Sequence, residues 1–282
     1  MQILKTVNEM RAFTEKAKKQ NKTVGFVPTM GYLHEGHLSL VRAAKEENDL
    51  VILSIYVNPT QFCPGEDLEK YPRNITRDTE LCERSGVDGI FYPADKEMYP
   101  EAYKQDLYNE PKIYSIMCGA TRPGHFQGVA TIVEKLFKAV NPDKAYFGQK
   151  DAQQTVVIKK MTRDLGLDIE IRVLPIIRES DGLAMSSRNI YLSESQRKRA
   201  LCLSKALALA EKNIVLGETR VEIIKQMIYD VLSSNVDKVD YIAIADADTL
   251  DSIEKIKDNT LIAVAVHIGK TRLIDNVVIG GQ

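Results

Sequence analysis

The sequence has 282 residues, 44% of them hydrophobic, which is enough for one large domain or two modest ones, each with its own core. The 38 Lys and Arg nearly balance the 39 Asp and Glu, so the basic excess that neutralises a nucleic-acid backbone is missing. The composition therefore argues against nucleic acid as a macromolecular partner.

The sequence predicts neither a signal peptide nor a membrane span. The start, Met1 to Val7, runs straight into a charged amphipathic stretch, and no run of about eighteen apolar residues occurs. The cysteines are irregularly spaced and include no Cys-x-x-Cys pair, which disfavours a disulfide framework and a zinc ribbon. They are Cys63, Cys82, Cys118 and Cys202. We therefore expect a reduced, cytoplasmic protein with no membrane association.

Strand-like apolar runs alternate with helical patterns over the first two thirds of the chain. The predicted strands cover 24–27, 50–57, 89–92, 145–147 and 169–174, and the predicted helices cover 36–48, 75–85, 128–140 and 151–165. This alternation predicts an α/β fold, with a Rossmann-like parallel sheet and helices on both faces. Ligands collect beyond the carboxyl ends of the strands in such sheets, so we expect the functional site there.

The pattern changes after residue 175. Two helical stretches, 193–213 and 219–234, precede two β-rich runs, 241–244 and 261–267. Ser193 to Gln196 has the Ser-x-x-Gln form of a capping box, which would start the first of these helices. We predict a nucleotide-binding Rossmann-like domain over 1–176 and a smaller α+β domain over 177–282.

Two histidines follow the first long strand, which ends in Pro28-Thr29-Met30-Gly31. His34 and His37 would lie on one face at the start of a helix, and Gly36 would let a ligand approach the backbone. The helix N-terminus favours an anion, and imidazoles there could donate hydrogen bonds to phosphate oxygens. A His-x-Gly-His pattern is weak by itself, because such a pair is often a solvated helix start. Zinc is disfavoured, since no third ligand stands at a recognisable spacing.

A second polar segment, Phe147 to Gln154, joins a predicted strand to a predicted helix. Its glycine, cation and carboxylate suit a nucleotide, with Lys150 contacting phosphate and Asp151 the ribose hydroxyls. A polar turn with Asp151 as the helix N-cap is an equal alternative.

A third segment, Arg178 to Asn189, contains an Asp-Gly turn followed by Ser186-Ser187-Arg188. These hydroxyls and the guanidinium could close over a triphosphate. The alternative is a plain linker between domains.

Three further polar segments stand near predicted strand ends or helix starts. Asn58 and Gln61 follow the second long strand and are placed to hydrogen-bond a small polar substrate. In the loop from Arg122 to Phe126, we expect His125 to be packed or capping. The charge run from Gln196 to Arg199 is interpreted as a solvated helix face.

Taken together, these segments resemble the pantothenate synthetase family. Five blocks agree in order and approximate spacing: 28–37, 56–62, 122–129, 141–154 and 178–189. The family belongs to the nucleotidylyltransferase superfamily, whose His-x-Gly-His and Lys-Met-Ser-Lys-Ser-like signatures resemble His34 to His37 and Met185 to Arg188. The resemblance implies ATP as co-substrate, Mg²⁺, pantoate and β-alanine as substrates, and a homodimer. One local departure is Cys63-Pro64, where a small flexible residue is expected.

The resemblance also implies a two-step reaction and a set of site residues. Pantoate would attack the α-phosphate of ATP, and β-alanine would then displace AMP from pantoyl adenylate. Catalytic roles fall to His37, His34 and Lys150. Pantoate or β-alanine would be bound by Gln61, Gln154 and Asn58, and Asp78 is a candidate magnesium contact. The implied ATP-binding residues are Met30, His34, His37, Gly148, Lys150, Asp151, Ile177 (through its backbone), Met185, Ser186, Ser187 and Arg188.

Two other functions are weighed against this one. Another small-molecule adenylyltransferase of the superfamily would not explain Asn58, Gln61 and Gln154 as an amide set for a hydroxy acid. A nucleotide-binding module without catalysis is disfavoured, because every implied catalytic position is intact.

Overall fold

The computed structural model describes residues 1–100 and 108–280. The chain divides into two compact units, the first formed by Met1–Gly148 and Val157–Leu174, and the second by Gln149–Val156 and Pro175–Gln282. No helix in the described ranges is long and apolar enough to cross a membrane. The predicted division into domains 1–176 and 177–282 stays a prediction.

The first unit is built on a parallel sheet, as the sequence predicted. Its strands are β1 (Gln2–Leu4), β2 (Val24–Thr29), β3 (Leu50–Ile55), β4 (Gly89–Phe91), β5 (Lys144–Gly148) and β6 (Glu170–Leu174). They lie in the order β1-β4-β3-β2-β5-β6, and every pairing is parallel. The edge strand β1 was not predicted, and only Leu4 of its three residues is buried.

Helices connect these strands. They are α1 (Val7–Lys18), α2 (Glu35–Glu47), α3 (Ile75–Arg84), α4 (Asp95–Met98), α5 (Pro111–Tyr114), α6 (Cys118–Thr121), α7 (His125–Val140) and α8 (Ala152–Asp164). A 3₁₀ turn, Pro59–Gln61, follows β3, and another, Gln149–Asp151, precedes α8. The four predicted helices correspond to α2, α3, α7 and α8, although α7 begins three residues before the predicted start at residue 128. The helices α1, α4, α5 and α6 were not predicted.

Alternate residues of the central strand β2 pack against opposite faces of the sheet. Val27 is fully buried in a cluster with Leu40 and Val41 of α2. Its neighbour Phe26 meets the ring of Phe137 in α7 edge-on, with centroids 6.3 Å apart. Helices therefore cover both faces, and the central strands are buried on both sides.

The second unit consists of helices packed on an antiparallel sheet. The strands are β7 (Lys238–Asp246), β8 (Thr260–Ile268) and β9 (Thr271–Ile279), and the helices are α9 (Glu194–Ala200), α10 (Cys202–Val215) and α11 (Val221–Ser233). One face of the sheet packs on α10 and α11, with Ile224, Ile228 and Val264 fully buried in the core. Ser193 forms the predicted capping box with Gln196.

The predicted helix over 193–213 is divided at Leu201 into α9 and α10, and strand β9 was not predicted. Its buried positions include Asp275 and Asn276, which interrupt the alternation of apolar and polar residues that marks a strand. The alternation of apolar and polar residues therefore failed to predict the strand in which polar side chains are buried.

Candidate active site

His34 and His37 stand together at the start of α2. His34 is the N-cap residue, and its Nδ1 accepts a hydrogen bond from the Gly36 amide at 3.1 Å. Nδ1 of His37 accepts one from the His34 amide at 3.3 Å, and the ring centroids are 4.1 Å apart. Because Nδ1 is an acceptor in both rings, the neutral form of each carries its proton on Nε2. Nε2 is then the donor nitrogen of each imidazole.

The turn that precedes the histidines is held by a buried carboxylate. Gly31 and Tyr32 have φ angles of 81° and 50°, an uncommon backbone conformation that other contacts must stabilise. Asp78 in α3 is 1% exposed, and its two oxygens accept the amides of Tyr32 at 2.7 Å and Leu33 at 2.8 Å. Asp78 therefore fixes the chain path into α2. Its contact with magnesium stays a prediction.

Met30, which was proposed for ATP, is brought together after β2 and β3 with Asn58 and Gln61, which were proposed for the substrate. Gln61 Nε2 donates to Met30 Sδ at 3.2 Å, and Asn58 Nδ2 donates to Gln61 Oε1 at 3.1 Å. Asn58 is 1% exposed, and it also donates to the Gly128 carbonyl at 3.1 Å and accepts from the Tyr99 hydroxyl at 2.6 Å. Its amide is thus occupied on both sides by protein.

Asn58 is therefore placed to orient Gln61. The predicted direct contact between Asn58 and substrate would require one of these protein hydrogen bonds to break in a buried environment, which is costly. Gln61, by contrast, is half-buried, so part of its side chain remains exposed to solvent. Of the two amides, Gln61 is the better placed to meet a ligand.

A charged network supports the backbone of Gln61. His125 Nδ1 lies 2.7 Å from the Gln61 carbonyl, and His125 Nε2 lies 2.9 Å from an Arg122 Nη1. Because a guanidinium only donates, Nε2 must be the acceptor and Nδ1 the protonated nitrogen. Arg122 also binds Glu66 through two hydrogen bonds of 2.6 and 2.8 Å. The expectation that His125 is packed is confirmed, since it is 8% exposed.

The same network sets the charge of Glu66. Burial alone would raise the pKa of this carboxyl, but the hydrogen bonds and charge of Arg122 hold the pKa below its usual value. Glu66 therefore stays ionised near neutral pH, and the ion pair persists there.

In the second unit, the turn that carries Lys150 and Asp151 is fixed by a side chain from β9. Asn276 is 3% exposed, and its Nδ2 donates to the carbonyls of Gln149 at 3.0 Å and Lys150 at 2.9 Å. In the opposite direction, the side-chain amide of Gln149 donates through Nε2 to Asn276 Oδ1 at 3.2 Å. These bonds fix the backbone from which Lys150 and Asp151 project.

Gly148 and Gln154 flank this turn. Gly148 ends β5 in the first unit, and a Cβ added there would meet no atom of the described residues within 4 Å. Its backbone is therefore open to close approach. Gln154 lies in the first turn of α8 and is half-buried.

The third segment forms a hairpin, in agreement with the predicted Asp-Gly turn. Arg178 pairs with Ala184 in an antiparallel bridge, and the Met185 amide donates to the Ile177 carbonyl at 3.0 Å. Gly182 closes the turn with a φ of 95°, which a residue with a Cβ rarely adopts. Met185 therefore begins a defined loop.

The serines of this loop have different environments. Ser186 is the N-cap of a 3₁₀ helix, Ser187–Tyr191, and its side chain accepts from the Arg188 amide at 3.3 Å. Ser187 is 7% exposed, whereas Ser186 and Arg188 are half-buried. The loop thus presents Ser186 and Arg188 more openly than Ser187.

The charge run from Gln196 to Arg199 is not simply a solvated face, so that interpretation was wrong for Arg197 and Arg199. Arg199 is half-buried and forms an ion pair outside its helix. Arg197 exposes 32% of its side chain and binds the carboxylates of Glu179 at 2.6 Å and Asp181 at 2.9 Å. Lys198, the next residue, is 73% exposed, as the interpretation required. The run is not uniformly solvated, because the start of α9 contacts the hairpin that contains Glu179 and Asp181.

Comparison with known proteins identifies the family. The model of the pantoate-beta-alanine ligase family matches residues 2–278. The pantothenate synthetase of Caldicellulosiruptor bescii is 55% identical over 280 residues, covering 99% of both chains. That of Thermotoga petrophila is 52% identical over 281 residues, covering 99% of this chain and all of the relative.

The chain belongs to the pantoate-β-alanine ligase family. Solved structures agree with this assignment. Pantothenate synthetase from Thermus thermophilus superposes with a TM-score of 0.93 at 43% identity, covering 99% of each chain. A pantoate-beta-alanine ligase from Francisella tularensis, complexed with beta-gamma ATP and beta-alanine, gives a TM-score of 0.80 at 34% identity, covering 99% of this chain and 97% of that one.

Several residues that contact or hold the candidate site residues were not assigned such a role from the sequence. They are Glu66, Tyr99, Glu179, Arg197 and Asn276. Glu179 and Arg197 lie in segments that the sequence singled out for other reasons, and Asn276 acts on a turn 126 and 127 positions away in sequence. Only the fold reveals such contacts.

Replacing Asp78 by Asn tests the structural role of this carboxylate. The amide keeps one acceptor but turns an N–H₂ toward a backbone N–H, so one buried hydrogen bond is lost. We expect the free energy of unfolding in urea to fall by about 1–3 kcal/mol, together with weaker ATP binding.

Glu80→Gln is the matched control, because Glu80 is exposed on the same helix. It should change stability by less than about 0.5 kcal/mol. Equal stability of Asp78→Asn and Glu80→Gln would contradict the assigned role.

Proposed function

We propose that this protein condenses pantoate with β-alanine at the expense of ATP, through a pantoyl-adenylate intermediate, and releases AMP and pyrophosphate. The observation that carries the proposal is the match to the pantoate-beta-alanine ligase family over residues 2–278. The crystallised Francisella tularensis relative holds an ATP analogue and β-alanine, which supports ATP as co-substrate.

In the first step, a carboxylate oxygen of pantoate attacks the α-phosphorus, and the bond to pyrophosphate breaks. Negative charge builds on the phosphate oxygens during this step. His34 and His37 would donate to these oxygens through Nε2, the nitrogen that their backbone contacts leave protonated. The amide groups at the start of α2 add a positive partial charge, and Lys150 and Arg188 add full ones.

In the second step, the amine of β-alanine attacks the acyl carbon of pantoyl adenylate. The bond between the acyl carbon and the AMP oxygen breaks, AMP leaves, and the nitrogen loses a proton to form the amide. No covalent bond to the protein is needed. The chain's contribution is to hold the two reactants in place, with Gln61 and Gln154 binding pantoate and Asn58 orienting Gln61.

The remaining residues of the proposed ATP site bind and cover the nucleotide. Gly148 would let the nucleotide approach the strand end, Asp151 would bind ribose hydroxyls, and the Ile177 backbone would contact adenine. The covering residues are Met30, Met185, Ser186, Ser187 and Arg188.

Magnesium is part of the proposal as the partner of the ATP phosphates. Within residues 1–100 and 108–280, no group of three or more His, Cys, Asp or Glu is placed to hold a metal ion. This fits Mg²⁺, which commonly keeps several waters and binds through substrate phosphates. The ion would neutralise phosphate charge, with Asp78 reaching it only through water.

A cytoplasmic homodimer completes the proposal. The described structure contains no disulfide among Cys63, Cys82, Cys118 and Cys202, which supports a reducing compartment. The dimer rests on family resemblance.

The reaction is tested by measuring AMP and pyrophosphate release from MgATP with the purified protein. Steady AMP release should require both pantoate and β-alanine, because the amine must discharge the adenylate before a second turnover. Pantoate alone should give one equivalent of bound adenylate at most. Steady release without pantoate, or none with all three substrates, would refute the proposed reaction.

Replacing His37 by Ala should lower the rate of adenylate formation by about 10²–10³-fold, the usual cost of removing one donor to a developing oxyanion. The rate is measured by rapid-quench single turnover with saturating ATP and pantoate. His267→Ala serves as the control, since His267 pairs with Asp240 and has no proposed role in the reaction. A wild-type rate in His37→Ala would remove this residue from the mechanism.

Replacing Gln61 by Ala should raise KM for pantoate by about tenfold, the effect of losing one net hydrogen bond. KM for ATP should stay within about twofold. Gln226→Ala, on the exposed side of α11, is the control. Equal increases in both KM values would mean that Gln61 does not belong to the pantoate site.

A further inference from the structure

Arg197 differs from the adjacent Lys198 in the charge run of α9. Its guanidinium binds Glu179 Oε2 through Nη2 at 2.6 Å and Asp181 Oδ2 through Nε at 2.9 Å. Lys198 instead pairs along the helix with Glu194 at 2.7 Å, and both of those side chains are largely exposed. One helix start thus contains a cation directed at the 178–184 hairpin and, next to it, a cation that stays on its own helix.

Glu179 passes this contact on to the loop. Its second oxygen, Oε1, accepts a hydrogen bond from Asn189 Nδ2 at 2.6 Å. Asn189 Nδ2 also donates to the Ala184 carbonyl at 3.1 Å. The two acceptors determine the orientation of the amide, because a flipped amide would direct its oxygen at a carboxylate and a carbonyl.

The segment Met185 to Arg188 lies between the two residues joined in this way. Ala184 precedes it, Asn189 follows it, and Glu179 ties Asn189 to Arg197. We call Arg197, Glu179 and Asn189 the clasp. It holds both ends of the segment that the proposed function assigns to covering ATP.

A second ion pair holds the hairpin independently. Arg178 binds Asp275 of β9 through two hydrogen bonds of 2.7 and 3.0 Å, and Asp275 is 2% exposed. Arg178 also donates to the Gly182 carbonyl at 3.2 Å. The hairpin therefore keeps its attachment to the sheet when Arg197 is lost, whereas Glu179, which binds Asn189 at the end of the loop, loses its ion pair.

We propose that Arg197 is a positioning residue for ATP, which acts through Glu179 and Asn189 to fix the geometry of the Met185 to Arg188 segment. The proposal rests on the role of that segment in the proposed function. The proposed function assigns Arg197 no contact with a substrate. Its guanidinium is needed because only a planar fork reaches two carboxylates at once.

Arg197→Gln should weaken ATP binding about tenfold, measured as Kd by titration calorimetry. KM for pantoate should change by less than about twofold, since no clasp residue is assigned to pantoate. Hydrogen exchange of the amides of residues 185–189 should become faster, and that of 178–184 should change less because Arg178 still holds the hairpin. A purely structural role of Arg197 would not weaken ATP binding selectively over pantoate, nor speed exchange at residues 185–189 more than at 178–184.

Lys198→Gln is the matched control, because it removes the adjacent positive charge of α9 without touching the hairpin. Arg197→Lys should recover part of the ATP affinity, as one ammonium reaches a single carboxylate. Glu179→Gln should weaken ATP binding similarly, and its effect should not add to that of Arg197→Gln in the double variant.

The clasp is refuted if Arg197→Gln and Lys198→Gln bind ATP equally well, or if the Arg197 and Glu179 effects add fully. Calorimetry does not depend on turnover, so the clasp is tested even if the wild-type protein fails to release AMP. That failure would refute the proposed reaction alone. Arg197→Lys keeps the test valid if Arg197→Gln does not fold.

Discussion

The parallel pairing of β2 with β3 determines where the chemistry of the first unit lies. Their register places Thr29 opposite Ile55, so both strands end at the same edge of the sheet and the segments that follow them start side by side. Gln61 consequently contacts Met30, although 31 positions separate them in sequence. An antiparallel pair would have sent these two segments to opposite edges.

Strand ends provide proximity, but buried polar groups provide orientation. Asp78 has no ligand role that its contacts reveal, yet it determines the backbone path into His34 by accepting two amides. Asn58 does the same for the side chain of Gln61, and His125 for its carbonyl. Burying any of these polar groups without its hydrogen-bond partners would be costly. The partners therefore stabilise the observed orientation of each side chain and disfavour other orientations.

The sequence predicted what is local and missed what is distant. Alternating apolar runs predicted β2, β3 and β5, and the capping box at Ser193 predicted the start of α9. Strand β9 could not be predicted from the sequence, because Asp275 and Asn276 are buried polar residues whose partners lie 97 to 127 positions away. Sequence patterns record which residues are apolar, and they do not record which buried polar group meets which.

The loop after the 178–184 hairpin is tied to α9 through a more exposed contact than those that hold the turns before His34 and around Lys150, and the difference suits its proposed task. In the first unit, the orienting groups Asp78 and Asn58 are each 1% exposed, so their hydrogen bonds compete little with water. In the second, Arg197 exposes 32% of its side chain, and ion pairs at that exposure are screened by salt and contribute little to stability. A segment proposed to cover ATP would also have to release product, so contacts that open at low cost suit it, whereas imidazoles proposed to meet a phosphate would need contacts that do not.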